Sequence, residues 1–191
     1  MKQLPAGGRL LALDETTLRY LPPLRAAWAL RGEQAEVPIS GQNARRTLFA
    51  TVDLRTGRRV VMVSRRQRLS DYHRFLRRLR IGAGSKGALW LLLDRHSNHQ
   101  SPSSLRLAAA LNITLFWLPR QCPRLNPVDH LWRGLKNDLA ANRQFASIDE
   151  LARYAEHWVR TLSPLQTLRK AGLLSKHCWL RKVRKIFWPR T

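Results

Sequence analysis

A chain of 191 residues is long enough for one domain with a hydrophobic core, and its 35 Lys and Arg against 12 Asp and Glu give a formal net charge of +23. This excess, in which 28 residues are arginine, indicates a polyanionic partner such as nucleic acid, and a ribosomal-type or merely basic protein is the equal alternative on charge alone. Composition excludes a disulfide framework, since Cys122 and Cys178 stand far apart, and they also lack the spacing of metal ligands. It excludes a membrane span as well, because no apolar run approaches the roughly 20 residues that a span needs. We therefore expect a soluble protein of a reducing cytosol.

The secondary-structure patterns alternate between strands and helices along the chain. An apolar run over 9–13 predicts a buried strand that ends at Asp14 and Glu15, and two β-branched runs predict a hairpin with Asp53 at its turn. Farther along, the patterns predict a helix over 69–79, a strand over 88–94, a helix over 102–111, a strand over 113–119 and helices over 127–141 and 147–162. This order predicts an α/β domain whose mixed sheet starts with antiparallel strands and continues with parallel ones.

The C-terminal end differs in composition from the rest of the chain. No acid follows Glu156, and residues 176–190 hold six Lys and Arg interleaved with Trp179, Phe187 and Trp188. Basic residues alternating with aromatic ones suit a nucleic-acid surface, and packing or a subunit contact is the equal alternative for the two tryptophans. We predict one domain over residues 1–165 and a basic-aromatic tail over residues 166–191.

Three of the acids stand where a metal site is expected. Asp14 and Asp94 directly follow apolar strands, and the carboxyl ends of strands form the crevice of an open sheet. Asp129 falls at the third position of a helix that Asn126 caps and Pro127 begins. An acid at this position also complements the helix dipole, so helix stability alone is an alternative explanation for Asp129. Carboxylates that converge from several elements, among cations that attract phosphate, favour a pair of Mg²⁺ ions.

Four stretches together resemble the catalytic domain of the IS630/Tc1/mariner transposases, namely LALDE at 11–15, the segment around Trp28 and Gly32, LLLDRHSNH at 91–99 and LPRQCPRLNPVDHLWRGLK at 118–136. Thirty-four residues separate Asp94 from Asp129, as in the family's DD34E/D pattern. The resemblance covers about residues 10–165. It implies an RNase H-like fold, a mixed five-stranded sheet with helices on both faces. It also implies that Asp14, Asp94 and Asp129 bind Mg²⁺ or Mn²⁺, two ions together, and that Glu15 accompanies them.

The activity that this resemblance implies is metal-dependent DNA strand cleavage and strand transfer, in the bacterial cytoplasm at the nucleoid. Two residues depart from the family pattern, because most bacterial members have Glu at the position of Asp129 and Asn at the position of Arg95. Two alternatives therefore remain. One is an inactive remnant that only binds nucleic acid, and the other is an RNase H-like nuclease that cuts an RNA strand.

The resemblance also implies partners. DNA is expected as transposon end and as target, with a homodimer assembled on it, and no membrane partner is expected. Family members carry helix-turn-helix modules ahead of this domain, while only a few residues precede the first strand here, so we expect a separate chain or an upstream reading-frame product to read the ends. The residues expected to contact nucleic acid lie near the three acids and in the tail: Arg95, His96, His99, Arg120, Arg124, Arg133, Lys136, Arg181, Lys182, Arg184 and Lys185.

Overall fold

The structure, a computed structural model, describes residues 4–22, 28, 30–32, 36, 37, 39, 41–83, 87–140 and 143–180. The elements within them are β1 (Arg9–Arg19), β2 (Arg45–Asp53), β3 (Arg59–Ser64), α1 (Leu69–Gly82), β4 (Leu89–Leu93), α2 (Ser97–Gln100), α3 (Pro102–Ala110), β5 (Ile113–Trp117), α4 (Pro127–Leu135), α5 (Ile148–Thr161) and α6 (Pro164–Lys170). A 3₁₀ turn covers Pro123–Leu125, and a π-helical turn covers Lys136–Ala140. Among these residues, no helix combines the length and the apolar character needed to cross a membrane.

The five strands form one mixed sheet in the order β3-β2-β1-β4-β5. β1 pairs antiparallel with β2, and β2 pairs antiparallel with β3, which makes the first half of the sheet a meander. β4 and β5 lie parallel to β1 and to each other, joined by helical crossovers. The predicted α/β class, with an antiparallel start and parallel later strands, is confirmed.

Two hydrophobic cores lie on opposite faces of the sheet, because side chains alternate along each strand. On one face, Phe75 and Leu76 of α1 pack with the odd-numbered residues of β4, all of which are buried. On the other face, Leu131 and Trp132 of α4 pack with residues of α5 and with even-numbered residues of β1, β2 and β4. Helices on both faces explain why the sequence of β4 is apolar throughout.

β1 is longer than the apolar run in its sequence indicates. The predicted strand ends at Asp14 and Glu15, whereas β1 continues to Arg19. Its pairing with β4 stops at Ala12–Leu92, but its pairing with β2 continues through Asp14–Ala50 to Arg19–Arg45. Beyond Ala12 the strand has only one neighbour and needs less apolar surface, so the apolar run ends where the parallel half of the sheet ends.

The boundary predicted at residue 165 falls inside α6. Thr167 of this helix is fully buried, and Leu173 and Leu180 belong to the same core as Leu131 of α4. The described part of the predicted tail, residues 166–180, is therefore packed against the domain. The remaining tail residues, among them Trp188, lie outside the described part of the chain.

Candidate active site

Asp14 and Asp94 meet at the edge of the sheet where β1 and β4 separate. Asp14 lies two residues beyond the last β1–β4 pair, and Asp94 directly follows β4. Both line a hollow of about 390 Å³ that Asp129 also lines. The side chain of Asp94 is 53% exposed, while Asp14 lies deeper in the hollow and is partly buried. The structure therefore brings the three predicted acids to one crevice.

Asn126 fixes the position of the helix that carries Asp129. Its side-chain oxygen accepts a hydrogen bond from the Val128 backbone N–H at 3.1 Å, which is the N-cap predicted from the sequence. Its side-chain amide donates a second hydrogen bond to the Leu13 carbonyl at 2.8 Å. The side chain is 2% exposed, so both bonds are shielded from water. The start of α4 is thereby attached to β1 one residue before Asp14.

Removing the Asn126 side chain tests this attachment. We expect Asn126→Ala to lower the free energy of unfolding by about 2 to 3 kcal/mol, because the variant loses a helix cap and a buried bond to the Leu13 carbonyl. Ser147→Ala is the matched control, since Ser147 caps α5 through one bond to the Glu150 N–H and makes no bond to a strand. Urea denaturation should show a loss of only about 1 kcal/mol for the control. Equal losses in the two variants would contradict the role of the Leu13 bond.

The carboxylates of this site repel one another. Burial raises the pKa of Asp14 well above its usual range, and the negative charges of Glu15, Asp94 and Asp129 raise it further. A cation bound among these groups would relieve that repulsion, and carboxylate oxygens are ligands that Mg²⁺ and Mn²⁺ prefer. The donor set therefore fits a divalent metal.

Two of these acids, Asp94 and Asp129, already pair with basic side chains. Arg133 pairs with Asp129 at 2.9 Å, one helical turn away on α4, and His99 pairs with Asp94 at 2.8 Å. Within the described ranges, no three His, Cys, Asp or Glu side chains are grouped closely enough to hold an ion as they stand. Of the two Asp129 carboxylate oxygens, Oδ2 is the one that pairs with Arg133.

His99 lies inside the protein, which corrects its predicted place at the DNA surface. It is 1% exposed, its Nε2 lies 2.8 Å from Oε1 of Glu15, and its Nδ1 lies 2.8 Å from Oδ1 of Asp94. Burial alone would lower the pKa of His99, but the hydrogen bonds to Asp94 and Glu15 outweigh it and raise this pKa to about 10. The bond from His99 in turn holds the pKa of Asp94 below its ordinary value. Two acids and a buried cation thus form one network that the sequence did not indicate.

The other residues predicted to contact nucleic acid have different surroundings. Arg95 and Arg120 are exposed and line the hollow, and Arg124 is exposed on the 3₁₀ turn nearby. His96 also lines the hollow, where its Nδ1 accepts the Asn98 N–H and caps α2. Lys136 follows α4 and is half-buried. Arg181, Lys182, Arg184 and Lys185 lie outside the described residues.

Asp53 and Trp179 have structural roles. Asp53 accepts hydrogen bonds from the backbone N–H groups of Arg55 and Thr56 and pairs with Arg9 at 2.7 Å, which confirms its place at the hairpin turn. The Trp179 indole donates to the Leu125 carbonyl at 3.1 Å and packs against the core. Trp179 therefore ties the C-terminal segment to the 3₁₀ turn that leads into α4.

Comparison with known proteins agrees with this arrangement. The family model described as DDE superfamily endonuclease matches residues 9–152. A protein of Shigella sonnei, the insertion element IS630 uncharacterized 39 kDa protein, is 26% identical over 152 residues, which cover 79% of this chain and 44% of that protein. The uncharacterized protein y4pE/y4sA of Sinorhizobium fredii (strain NBRC 101917 / NGR234) is 36% identical over 61 residues, 32% of this chain and 43% of that protein. The matched part of the chain thus spans less than half of either curated relative.

Solved structures show the same fold. The mariner Mos1 paired-end complex with Mg superposes with a TM-score of 0.72 at 16% identity, covering 94% of this chain and 56% of that chain. The catalytic domain of Mos1 mariner transposase superposes with a TM-score of 0.66 at 14% identity, covering 95% and 84%. The predicted RNase H-like fold and the IS630/Tc1/mariner resemblance are confirmed. With a family model that spans most of its length, the chain belongs to the DDE superfamily endonucleases.

Proposed function

We propose that this chain is the catalytic domain of an IS630-type transposase that cuts DNA strands at transposon ends and joins the freed 3′-hydroxyls to target DNA. Its main support is that Asp14, Asp94 and Asp129, which carry the family's spacing, line one hollow at the edge of the sheet. An acid triad at this place suits phosphodiester chemistry, because each acid comes from a different rigid element.

Asp14, Asp94 and Asp129 would hold the divalent ions, two of them on the family pattern. A bound pair of Mg²⁺ or Mn²⁺ ions supplies activation of the attacking water and stabilisation of the leaving oxygen, so no covalent protein intermediate is required. The sheet fixes the backbones of Asp14 and Asp94, and Asn126 fixes the backbone of Asp129 through β1. These residues would position the scissile phosphate.

Arg95 and Arg120 would guide the DNA into this hollow. Both guanidinium groups are exposed beside the three acids, where they offset negative charge that would otherwise repel a phosphate backbone. Arg95 occupies the position after the second acid, where most bacterial members of the family have Asn. A phosphate contact would explain why this chain has Arg there instead. Phosphate contacts of this kind position DNA but carry no sequence information.

DNA is the proposed partner of this chain. Similar structures are transposase–DNA complexes, including the Mos1 paired-end and strand-transfer complexes, which supports transposon-end and target DNA as partners here. We propose that two copies act together on DNA at the bacterial nucleoid. A helix-turn-helix module, on a separate chain or from an upstream reading frame, would select the ends.

A choice of substrates separates transposition from the nuclease alternative. We expect the protein to cut a pre-nicked duplex that carries the terminal sequence of its own element, with Mg²⁺ or Mn²⁺ and not with EDTA. An RNA/DNA hybrid of the same length, analysed on the same denaturing gel, is the matched substrate and should stay intact. Cutting of the hybrid alone would refute the transposase function in favour of an RNase H-like nuclease.

A further inference from the structure

Glu15, His99 and Asp94 form a chain of buried hydrogen bonds beneath the candidate metal site. His99 lies between the two acids, with both of its ring nitrogens at 2.8 Å from a carboxylate oxygen. The side chains of His99 and Glu15 are 1% and 5% exposed, whereas that of Asp94 is 53% exposed. The chain of bonds therefore runs from the protein interior to the one member that faces solvent.

The two consecutive acids of β1 occupy opposite sides of the sheet. Successive side chains of a strand alternate between faces, so Asp14 lies on the side of Ala12 and Glu15 on the side of Leu13. Only Asp14 lines the 390 Å³ hollow with Asp94 and Asp129. Glu15 meets His99 instead, so its carboxylate is not presented to an ion in that hollow.

The bond pattern leaves one oxygen of Asp94 available. Oδ1 of Asp94 accepts from the His96 backbone N–H at 3.1 Å and bonds His99 at 2.8 Å. Oδ2 makes no hydrogen bond or ion pair with any described residue. With Oδ1 held by two donors, the carboxylate is fixed in one rotation and Oδ2 remains for an ion.

The ring of His99 cannot turn away from this arrangement. The ring of Tyr72 lies against it with centroids 4.5 Å apart, and Tyr72 is itself 1% exposed. Carboxylates accept and do not donate hydrogen bonds when ionised, so both ring nitrogens must carry a proton to satisfy the two acids. The ring therefore bridges the two acids, with one N–H directed at Glu15 and the other at Asp94.

We propose that Glu15 and His99 are positioning residues of the active site, with Glu15 acting on Asp94 only through His99, so that the free Oδ2 of Asp94 is aimed at the metal. The inference rests on the proposed function, because it assumes that Asp94 binds a divalent ion. Groups that orient a ligand in this way typically account for about 10- to 100-fold in metal affinity.

Mn²⁺ binding to the full chain without DNA, measured by electron paramagnetic resonance of the free ion, tests whether Glu15 acts through His99. We expect His99→Phe to weaken Mn²⁺ binding about 10- to 100-fold and Glu15→Ala to weaken it by a comparable factor. The double variant should bind no more weakly than His99→Phe alone, because Glu15 has no route to the ion once the ring is gone. Losses that multiply in the double variant would show that Glu15 acts on the ion directly and would overturn the proposal.

A conservative substitution tests the inference without removing a buried bond. The amide oxygen of Glu15→Gln still accepts from the His99 ring, so we expect Mn²⁺ binding within about threefold of wild type, whereas Asp14→Asn should lose at least about 100-fold. An equal loss in these two variants would overturn the proposal, and this comparison decides the question even if His99→Phe fails to fold. His73→Phe is the matched control, because it removes a histidine bond to Ser104 away from the three acids and should leave Mn²⁺ binding unchanged.

Failure of the inference and failure of the proposed function give different results. If wild type binds Mn²⁺ and the folded His99→Phe variant binds it equally well, the positioning role is refuted and the metal site stands. If wild type binds no Mn²⁺, the metal site itself is refuted, together with the role of His99 in it.

Discussion

Asp94→Asn is expected to reduce DNA strand cleavage by at least about 10³-fold while DNA affinity stays equal or rises. A metal site contributes several kcal/mol to stabilising the charge of the transition state, and about 4 kcal/mol corresponds to this factor. The substitution keeps the size of the side chain but removes a negative charge beside the bound phosphate. Single-turnover cleavage of a pre-nicked transposon-end duplex measures the first effect, and a binding titration with the same duplex in Ca²⁺ measures the second.

The control for this prediction is an acid outside the hollow. Asp138→Asn removes an exposed carboxylate that pairs with Lys170 at 2.9 Å, and we expect cleavage within about twofold of wild type. If Asp94→Asn cut as fast as wild type, the metal role of Asp94 would be wrong. If wild type and variant were equally inert with every divalent metal, the chain would be the inactive, nucleic-acid-binding remnant.

DNA affinity of the isolated chain is expected to fall about 10³- to 10⁵-fold between 50 and 200 mM salt. With a net charge of +23, binding should come from Lys and Arg contacts to phosphates, and each neutralised phosphate contributes about −0.9 to the log–log salt slope, so roughly six to ten contacts give this loss. Titration of the terminal duplex and of a scrambled duplex at several salt concentrations measures the slope. A strong preference for the terminal duplex by this chain alone would show that it contains a sequence-reading element.

The C-terminal residues should account for part of that slope. Ending the chain after Leu180 removes Arg181, Lys182, Arg184, Lys185 and Arg190 but keeps the bond from Trp179 to the Leu125 carbonyl. We expect the slope to flatten by about 0.9 for each phosphate that the shortened chain no longer neutralises, up to about 4.5. An unchanged slope would show that these five cations do not contact DNA.

Local sequence patterns predicted most of the fold. The alternation and length of apolar runs identified the strands and helices, because burial on one face or on both faces of a sheet leaves a direct trace in the sequence. The cap at Asn126 was also predictable, since it depends on residues within the first turn of α4. The length of β1 was not, because its second half is stabilised by pairing with β2, which is distant in the sequence.

For the candidate active site, the sequence predicted the three acids but not the contacts that hold them in place. Asp14, Asp94 and Asp129 follow from strand ends, a capped helix and the family spacing. The bond from Asn126 to Leu13 and the bond from His99 to Glu15 join residues 113 and 84 positions apart. Such contacts depend on which strands are neighbours in the sheet, and neither periodicity nor capping reports that order. The position of His99 after Asp94 therefore predicts a surface residue, whereas the fold buries its side chain.

Anomalous scattering from a crystal of the full chain grown with Mn²⁺ would show whether Asp14, Asp94 and Asp129 together bind divalent metal. We predict anomalous peaks in the hollow among the three acids, within about 2.0 to 2.3 Å of carboxylate oxygens that include Oδ2 of Asp94. Two ions should lie about 3.5 to 4 Å apart. A crystal that shows Mn²⁺ bound elsewhere, or bound nowhere while the same protein cuts DNA with Mn²⁺, would show that these three acids are not the metal site.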